Sequence, residues 1–250
     1  MEKTVEILGI PFSNMTLNET TDFLEKHLEE EQSKLLHLIT INPEISITAQ
    51  SDGEFRKIIK EADLITPDGI GIVLASKLKK VPIPERVTGF DLLQCLLQKG
   101  NQQGWRFYFL GTDEQTNNNA VKQIEKLYPN VSIVGRHHGF FTKAEEPLII
   151  ESIKISNPDI LIVAMGAPYS DKWIYKYKDE LLKIKVVFGV GGSLDVLAGK
   201  VKVTPEIWKK LNMEWFHRLI TVPVAKGQKS RWLRQIAIPR FILQVLFKDR

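Results

Sequence analysis

Along the chain, short apolar runs alternate with longer stretches in which apolar residues recur three and four positions apart. The first pattern predicts buried strands and the second amphipathic helices. After two strand-like pieces, "TVEILG" and "IPFSNM", a helix is expected from about Thr16 to Glu31, opened by the capping-box spacing of Thr16 and Glu19. "KLLHLITIN" then reads as a buried strand, "NPEISITAQ" and "GEFRKIIKEA" as helices, "DLITP" as a strand and "GIGIVLASKLKK" as a helix. The pattern continues through the helix "TGFDLLQCLLQKG", the strand "WRFYFLG", the helix "EQTNNNAVKQIEKLY" and the strand "VSIVG". It closes with "EPLIIESIKIS", "DILIVAMG", "YSDKWIYKYKDELL" and "KVVFGVG". Strands separated by helices predict an α/β fold: a parallel sheet core flanked by helices on both faces, preceded by a small N-terminal β-hairpin.

The alternation stops near "VKVTPE", where Pro205 can open a helix at its first turn. The chain is therefore expected to divide into an α/β core, 1–204, and a C-terminal helical appendage, 205–250. Charge sharpens that boundary. The net charge is +4, yet 205–250 carries ten Lys or Arg against three Asp or Glu, leaving 24 of the 34 basic and 27 of the 30 acidic residues to the rest. A basic tail on a weakly acidic body calls for an anionic partner, whether a diphosphate, phospholipid headgroups or nucleic acid. In its last helix Arg240, Gln244 and Lys248 follow one edge while Phe241, Ile242, Val245 and Leu246 share another. Such a helix is too short to cross a bilayer, but it can lie at an anionic membrane surface with its apolar face in the acyl boundary. Packing of that face on the protein's own core is the competing expectation.

Composition removes several classes. With 43% hydrophobic and 26% charged residues in 250, the chain is globular rather than disordered. Its one cysteine, Cys95 in "FDLLQCLLQ", admits no internal disulfide and reads as a buried structural thiol, which favours a reducing, cytoplasmic setting. "MEKTVEILGIPF" has no basic segment followed by a long apolar one, and no run of 18 apolar residues occurs, so neither a signal peptide nor a spanning helix is expected.

Chemistry-bearing residues collect where the predicted strands end. Thr40 and Asn42 follow "LLHLI"; Thr66 and Asp68 follow "DLI"; Gly111 and Thr112 follow "WRFYFL". Gly135 follows "VSIV", Gly166 and Pro168 follow "LIVAM", and Gly191, Gly192 and Ser193 follow "KVVFGV". In open α/β sheets ligands bind beyond the carboxyl ends of the strands, and glycines there let backbone amides approach a phosphate. "LITPDGIGI" is the most suggestive stretch, because Asp68 stands between a strand and a helix marked by Ile70, Val73, Leu74 and Leu78. Ordinary turn chemistry and strand-terminating glycines are the competing explanations.

"GVGGSLDVLAG" invites a dinucleotide site, but the acid expected about 20 residues on is missing from the helical, basic "IWKKLNMEW", which disfavours an NAD(P)-dependent dehydrogenase. A UDP-sugar fits the same turn without that acid; Asp195 would either contact the nucleotide or cap the helix. No two Asp are separated by a single residue, and the adjacent His137 and His138 are poorly spaced as ligands, so no metal and no cofactor are expected. Leaving-group charge would then fall to Arg, Lys or helix termini.

The motifs "TINPE", "DLITPDGIGIV", "ERVTGFDLL", "FLGT", "GFF", "NPDILIVAMGAP", "GVGGSLDVLAGKV" and "KLNMEWFHRLI" run in order over most of the chain. Together they resemble the WecG/TagA/CpsF glycosyltransferases of bacterial cell-wall and capsule assembly. The resemblance implies a Rossmann-like core, a UDP-sugar donor of the N-acetylmannosamine type, and an acceptor N-acetylglucosamine on undecaprenyl diphosphate, with inversion at the anomeric carbon. It implies Asp68 as catalytic base, with Thr40 and Asn42 beside it and Arg86 in substrate binding. A positioned carboxylate that takes a sugar hydroxyl's proton is worth about 10² to 10⁴ in rate. Arg218, Arg231 and Arg234 fall on the family's appendage arginines, there to neutralise the departing UDP.

Two departures stand out. Tyr169, Ser170 and Asp171 replace the family's common Lys-Gln-Glu, so the contact implied at Ser170 is shortened or lost. "TVPVAKGQKS" replaces the family's usual Glu-Pro turn. The reading is thus a metal-independent, inverting hexosaminyltransferase at the inner face of the cell membrane, with no nucleic-acid partner and the homo-oligomeric state open. UDP-glucose or a UDP-uronic acid is the alternative donor, and a basic-tailed nucleic-acid-binding protein the alternative of another class.

Overall fold

The computed structural model describes residues 4–201 and 237–248. Strands β1 (Thr4–Ile7) and β2 (Ile10–Ser13) form the antiparallel hairpin, turning through Leu8 and Gly9 at φ of 52° and 75°. Helix α1 (Leu17–Glu29) begins at Thr16, whose hydroxyl accepts from the Glu19 N–H while the Glu19 carboxylate accepts from the Thr16 N–H. Two orphan helix donors are satisfied reciprocally there. The chain continues through β3 (Leu36–Ile41), α2 (Pro43–Ser51), α3 (Gly53–Glu61), β4 (Leu64–Pro67), α4 (Ile70–Leu78) and α5 (Gly89–Gln103). Next come β5 (Arg106–Gly111), α6 (Glu114–Leu127), β6 (Ser132–His137), α7 (Glu146–Ser156), β7 (Ile160–Ala164) and α8 (Tyr169–Tyr177). After β8 (Val186–Gly189) and the short α9 (Ser193–Leu197), the last described helix is α10 (Ala237–Lys248).

Six strands form one parallel sheet in the order β4-β3-β8-β7-β5-β6. Alternating side chains feed two faces. Leu36, Leu38, Phe107, Phe109, Ile160, Ile162, Val186 and Phe188 pack beneath α1, α5, α6 and α9. On the other face Ile39, Ile41 and Ile65 pack with α2, α3, α4 and the hairpin, while Tyr108, Leu110, Leu161, Val163 and Val187 pack with α7 and α8. Burial on both faces is why these strands read as continuous apolar runs rather than as alternating ones.

Two expectations need correction. Cys95 is half-buried on α5 rather than buried, with desolvation pushing its thiol up and so away from the reactive thiolate. In α10, Phe241 and Val245 do not face outward: they are 0% and 4% exposed, inside the cluster that holds Ile72, Val73 and Phe55, with Ile242 partly buried against it. The apolar residues α10 leaves outside are Leu243, Leu246 and Phe247. Four residues are little more than a turn, so Phe241 and Val245 point the same way and settle on α2 and α4 together.

Phe241→Ala is accordingly expected to lower the unfolding free energy by about 3 to 5 kcal/mol, visible in thermal and urea melts of the full chain. Leu243→Ser, on the exposed side, should stay within about 0.5 kcal/mol of the parent. The reverse order would place Phe241 outside the core.

Candidate active site

Register brings the carboxyl ends of four strands level: Ile41 lies beside Pro67, Leu38 beside Phe188, and Val163 beside Gly189. β3 and β8 are neighbours whose following helices lie on opposite faces of the sheet, α2 in one core cluster and α9 in the other, the switch point where α/β sheets open a crevice. A cavity of about 430 Å³ occupies it, lined by the ends of β3, β4, β7 and β8 and running down between α2 and α8 to Phe55.

Each polar group at its rim has a local reason to be there. Asn42 caps α2, its Oδ1 accepting from Ile45 N–H at 2.9 Å, which leaves the amide NH₂ as the part it can offer. The Asp68 N–H donates to the Ile41 carbonyl at 2.9 Å, tying the end of β4 to the end of β3. Gly69 follows at φ +105°, and a Cβ on Gly71 would lie 2.6 Å from Pro43 Cγ. The glycines of "TPDGIG" thus serve a turn and the close packing of α4 on α2, and Asp68 is the residue this geometry brings to the cavity wall. Thr88 caps α5, and its hydroxyl also donates to Asp91 at 2.7 Å. Beyond β8, Gly191 turns at φ +51°, and among the described residues the Gly191 and Gly192 N–H groups have no acceptor. The Ser193 hydroxyl donates to the Val190 carbonyl at 2.6 Å.

The charge in this lining is one-sided. Glu44, Asp68, Asp91 and Asp171 contribute carboxylates, and among the described residues no Lys, Arg or His lines the cavity. Nor do the described residues place any group of three or more His, Cys, Asp or Glu to hold a metal ion. Lys172, next to Asp171, is engaged elsewhere, bridging to Asp52 at 2.8 Å and Glu54 at 2.6 Å; with the Phe55 N–H bond, this holds the Asp52 carboxyl below the usual range. A further bond from Tyr175 Oη to Glu61 at 2.8 Å completes the seam between α3 and α8 that closes this side.

Comparison with known proteins now decides the family. Residues 5–250 match the family model described as "Glycosyl transferase WecG/TagA/CpsF family". A Bacillus subtilis (strain 168) protein named N-acetylglucosaminyldiphosphoundecaprenol N-acetyl-beta-D-mannosaminyltransferase is 34% identical over 248 residues, 99% of this chain and 93% of its own. Proteins of the same name from Bacillus spizizenii and Staphylococcus aureus (strain MRSA252) are 34% and 32% identical, over 93% and 86% of this chain and 88% and 84% of theirs. The chain belongs to the WecG/TagA/CpsF glycosyltransferases.

The family motifs divide, on this structure, into residues that line the cavity and residues that build it. Thr40, Asn42, Asp68, Gly166, Ser170, Gly191, Gly192 and Ser193 share the one cavity. Ser170 is buried, and its hydroxyl accepts from Met165 N–H at 3.1 Å and lies 3.5 Å from the Val163 carbonyl, so it is committed to the backbone. Arg86 is half-buried outside the lining, in a segment held near Asp68 by the bond from Val87 N–H to the Pro67 carbonyl at 2.8 Å. Asp195 lies behind Gly192, with Lys200 at 3.4 Å. Arg218, Arg231 and Arg234 lie outside the described residues.

Gly111 and Gly135 do not reach the cavity, and steric contact explains both. A Cβ on Gly111 would meet the Ala164 carbonyl oxygen at 2.4 Å, and Gly139 of "GFF" packs over it. Gly135 lies within β6 rather than after it, where a Cβ would meet the Tyr108 ring at 2.5 Å. Sequence reasoning gave no role to His37 or Asp171, which the fold brings together: His37 Nε2 lies 3.5 Å from Asp171 Oδ1, both buried. A histidine inside an apolar strand was the available signal.

Gly135→Ala is expected to destabilise the chain by about 1 to 3 kcal/mol through overpacking, while kcat/KM measured well below Tm stays within about twofold of the parent. A selective loss of nucleotide affinity would return Gly135 to the ligand site.

Proposed function

We propose that this glycosyltransferase moves N-acetylmannosamine from a UDP donor to N-acetylglucosamine carried on undecaprenyl diphosphate, with inversion. Three of the similar proteins carry a name that states this sugar and this acceptor. The observation that carries the reading is Asp68 on the wall of the cavity at the switch point, beside Thr40 and Asn42. A sugar hydroxyl is a weak nucleophile until a base takes its proton as it attacks, and a carboxylate held at the end of a strand is suited to that task. The Gly191 and Gly192 amides, without an acceptor among the described residues, suit the donor diphosphate.

The cavity's four carboxylates make the charge balance specific. A diphosphate leaving group gains charge as the glycosidic bond breaks, and the described lining supplies no cation to meet it. The surplus lies in 205–250, with ten basic against three acidic residues, and Arg218, Arg231 and Arg234 are the side chains assigned to the departing UDP. The same region supports peripheral contact with the membrane that holds the acceptor. No helix among the described residues is long and apolar enough to cross a bilayer. α10 nevertheless exposes Leu243, Leu246 and Phe247, and α4, against which it packs, exposes Leu74 and Leu78.

The test incubates the full chain in excess EDTA with UDP-N-acetylmannosamine and a short-chain lipid-diphosphate N-acetylglucosamine, with UDP-glucose and a UDP-uronic acid as competing donors. One added N-acetylhexosamine by mass is expected from the first donor. Asp68→Asn should cut the rate by about 10² to 10⁴ with UDP binding kept; turnover within a few-fold of the parent would pass the base role to Glu44. Dependence on added magnesium or manganese would overturn the metal-independent reading.

Leu246→Ser combined with Phe247→Ser should weaken binding to anionic vesicles by at least about tenfold, from the apolar area withdrawn, without lowering Tm. Vesicle binding equal to the parent's would remove these residues from the membrane contact.

A further inference from the structure

Among the four carboxylates of the cavity, Asp171 is set apart by what surrounds it. Its residue is 4% exposed, and its Oδ1 is fully buried with no hydrogen-bond donor among the described residues. Across a gap of 3.5 Å stands His37 Nε2, itself buried and, among the described residues, without a hydrogen bond. That separation exceeds the roughly 2.7–2.9 Å of a charge-assisted hydrogen bond. Asp91, by contrast, accepts from the Thr88 hydroxyl, and its own N–H donates back to that hydroxyl oxygen. Buried polar groups in folded proteins nearly always have hydrogen-bond partners, so a carboxylate that lines the cavity and finds no donor among the described residues leaves room for one brought by a ligand.

The geometry that holds Asp171 there is built in. His37 stands on β3 opposite Val187, on the sheet face that carries α8, and reaches Asp171 from beneath. At the end of β8, Gly189 has no side chain; a Cβ there would lie 3.2 Å from Ser170 Cβ and 3.4 Å from Asp171 Oδ1. The glycine lets the first turn of α8 press onto the sheet and carries the carboxylate to the cavity's inner wall.

An ionised carboxylate only accepts hydrogen bonds, so its partner must bring O–H or N–H. A diphosphate brings neither and is repelled. Resting on the reading of a UDP-hexosamine donor, we propose that Asp171 accepts a hydrogen bond from a hydroxyl of the transferred sugar and so selects the donor's configuration. His37 acts as the positioning residue beneath it. The neighbouring Ser170 cannot share this task, because its hydroxyl is already engaged with the backbone at Met165 and Val163.

The experiment compares the full-length parent, Asp171→Asn and His37→Gln on UDP-N-acetylmannosamine, on its 3-, 4- and 6-deoxy analogues and on UDP-mannose, with UDP affinity measured separately. The parent should lose at least about tenfold in kcat/KM on one deoxy donor. Asp171→Asn should lose at least about tenfold on the complete donor and nothing further on that analogue, with UDP affinity unchanged. His37→Gln should raise the donor KM with kcat within a few-fold. The same deoxy penalties in Asp171→Asn as in the parent would overturn the proposal, as would a parent indifferent to every deoxy donor. A penalty confined to UDP-mannose would assign the contact to the acetamido N–H, and weakened UDP affinity would assign it to uracil; either overturns the hydroxyl contact. If Asp171→Asn does not fold, the parent's deoxy series and His37→Gln decide alone. A parent that binds UDP but transfers no hexosamine overturns the underlying reading and this proposal together.

Discussion

The site depends on β3 and β8 lying side by side as parallel strands. Because parallel strands end on the same side, the loops after β3, β4, β7 and β8 converge over one crevice, although Thr40 and Ser193 are more than 150 residues apart in the chain. Side chains alternate along each strand, so the same pairing decides which residues meet below the crevice. His37 faces α8 because Leu36 and Leu38 face α1 and α5. A one-residue slip in β3 would turn His37 away from Asp171 and bury Ile39 and Ile41 on the wrong face. The core that stabilises the fold and the polar pair beneath the cavity are therefore set by one register.

Charge is distributed between two parts of the chain. The described cavity wall is acidic, whereas the cationic surplus lies beyond Pro205. An acidic wall suits sugar hydroxyls and proton transfer from an acceptor, but opposes a diphosphate. Segregating the cations in the C-terminal region makes completion of the proposed site depend on that region's approach. α10 ties the far end of it to the core, because Phe241 and Val245 occupy the same cluster as Phe55, which also lines the cavity.

The glycines of the motifs divide by what a Cβ would meet. At Gly71, Gly111 and Gly135 it would strike Pro43, Ala164 and Tyr108 at 2.4–2.6 Å, so these glycines exist for packing. At Gly166 and Gly191 a Cβ would meet nothing within 4 Å, and positive φ is what glycine supplies. Gly166 and Gly191 line the cavity, whereas Gly71, Gly111 and Gly135 do not.

The order and type of the elements were legible in the sequence because local physics determines them. Apolar period separated strands from helices, Thr16 and Glu19 marked a helix start, and apolar runs bounded by turn residues located the strand ends. Asp68, Thr40 and Asn42 could be singled out because each sits where a strand hands over to a helix, a boundary visible in the residues themselves. Which strand ends converge is a property of strand order, and no local pattern carries that. Gly111 and Gly166 looked equivalent along the chain, yet only Gly166 lines the cavity. Likewise the apolar edge of α10 was visible, but an amphipathic helix has the same period against a membrane as against a protein core. Burial of Phe241 is decided by the shape of the neighbouring helices. The meeting of His37 with Asp171, 134 positions away, was fixed only by the pairing of β3 with β8 and the seating of α8 on Gly189.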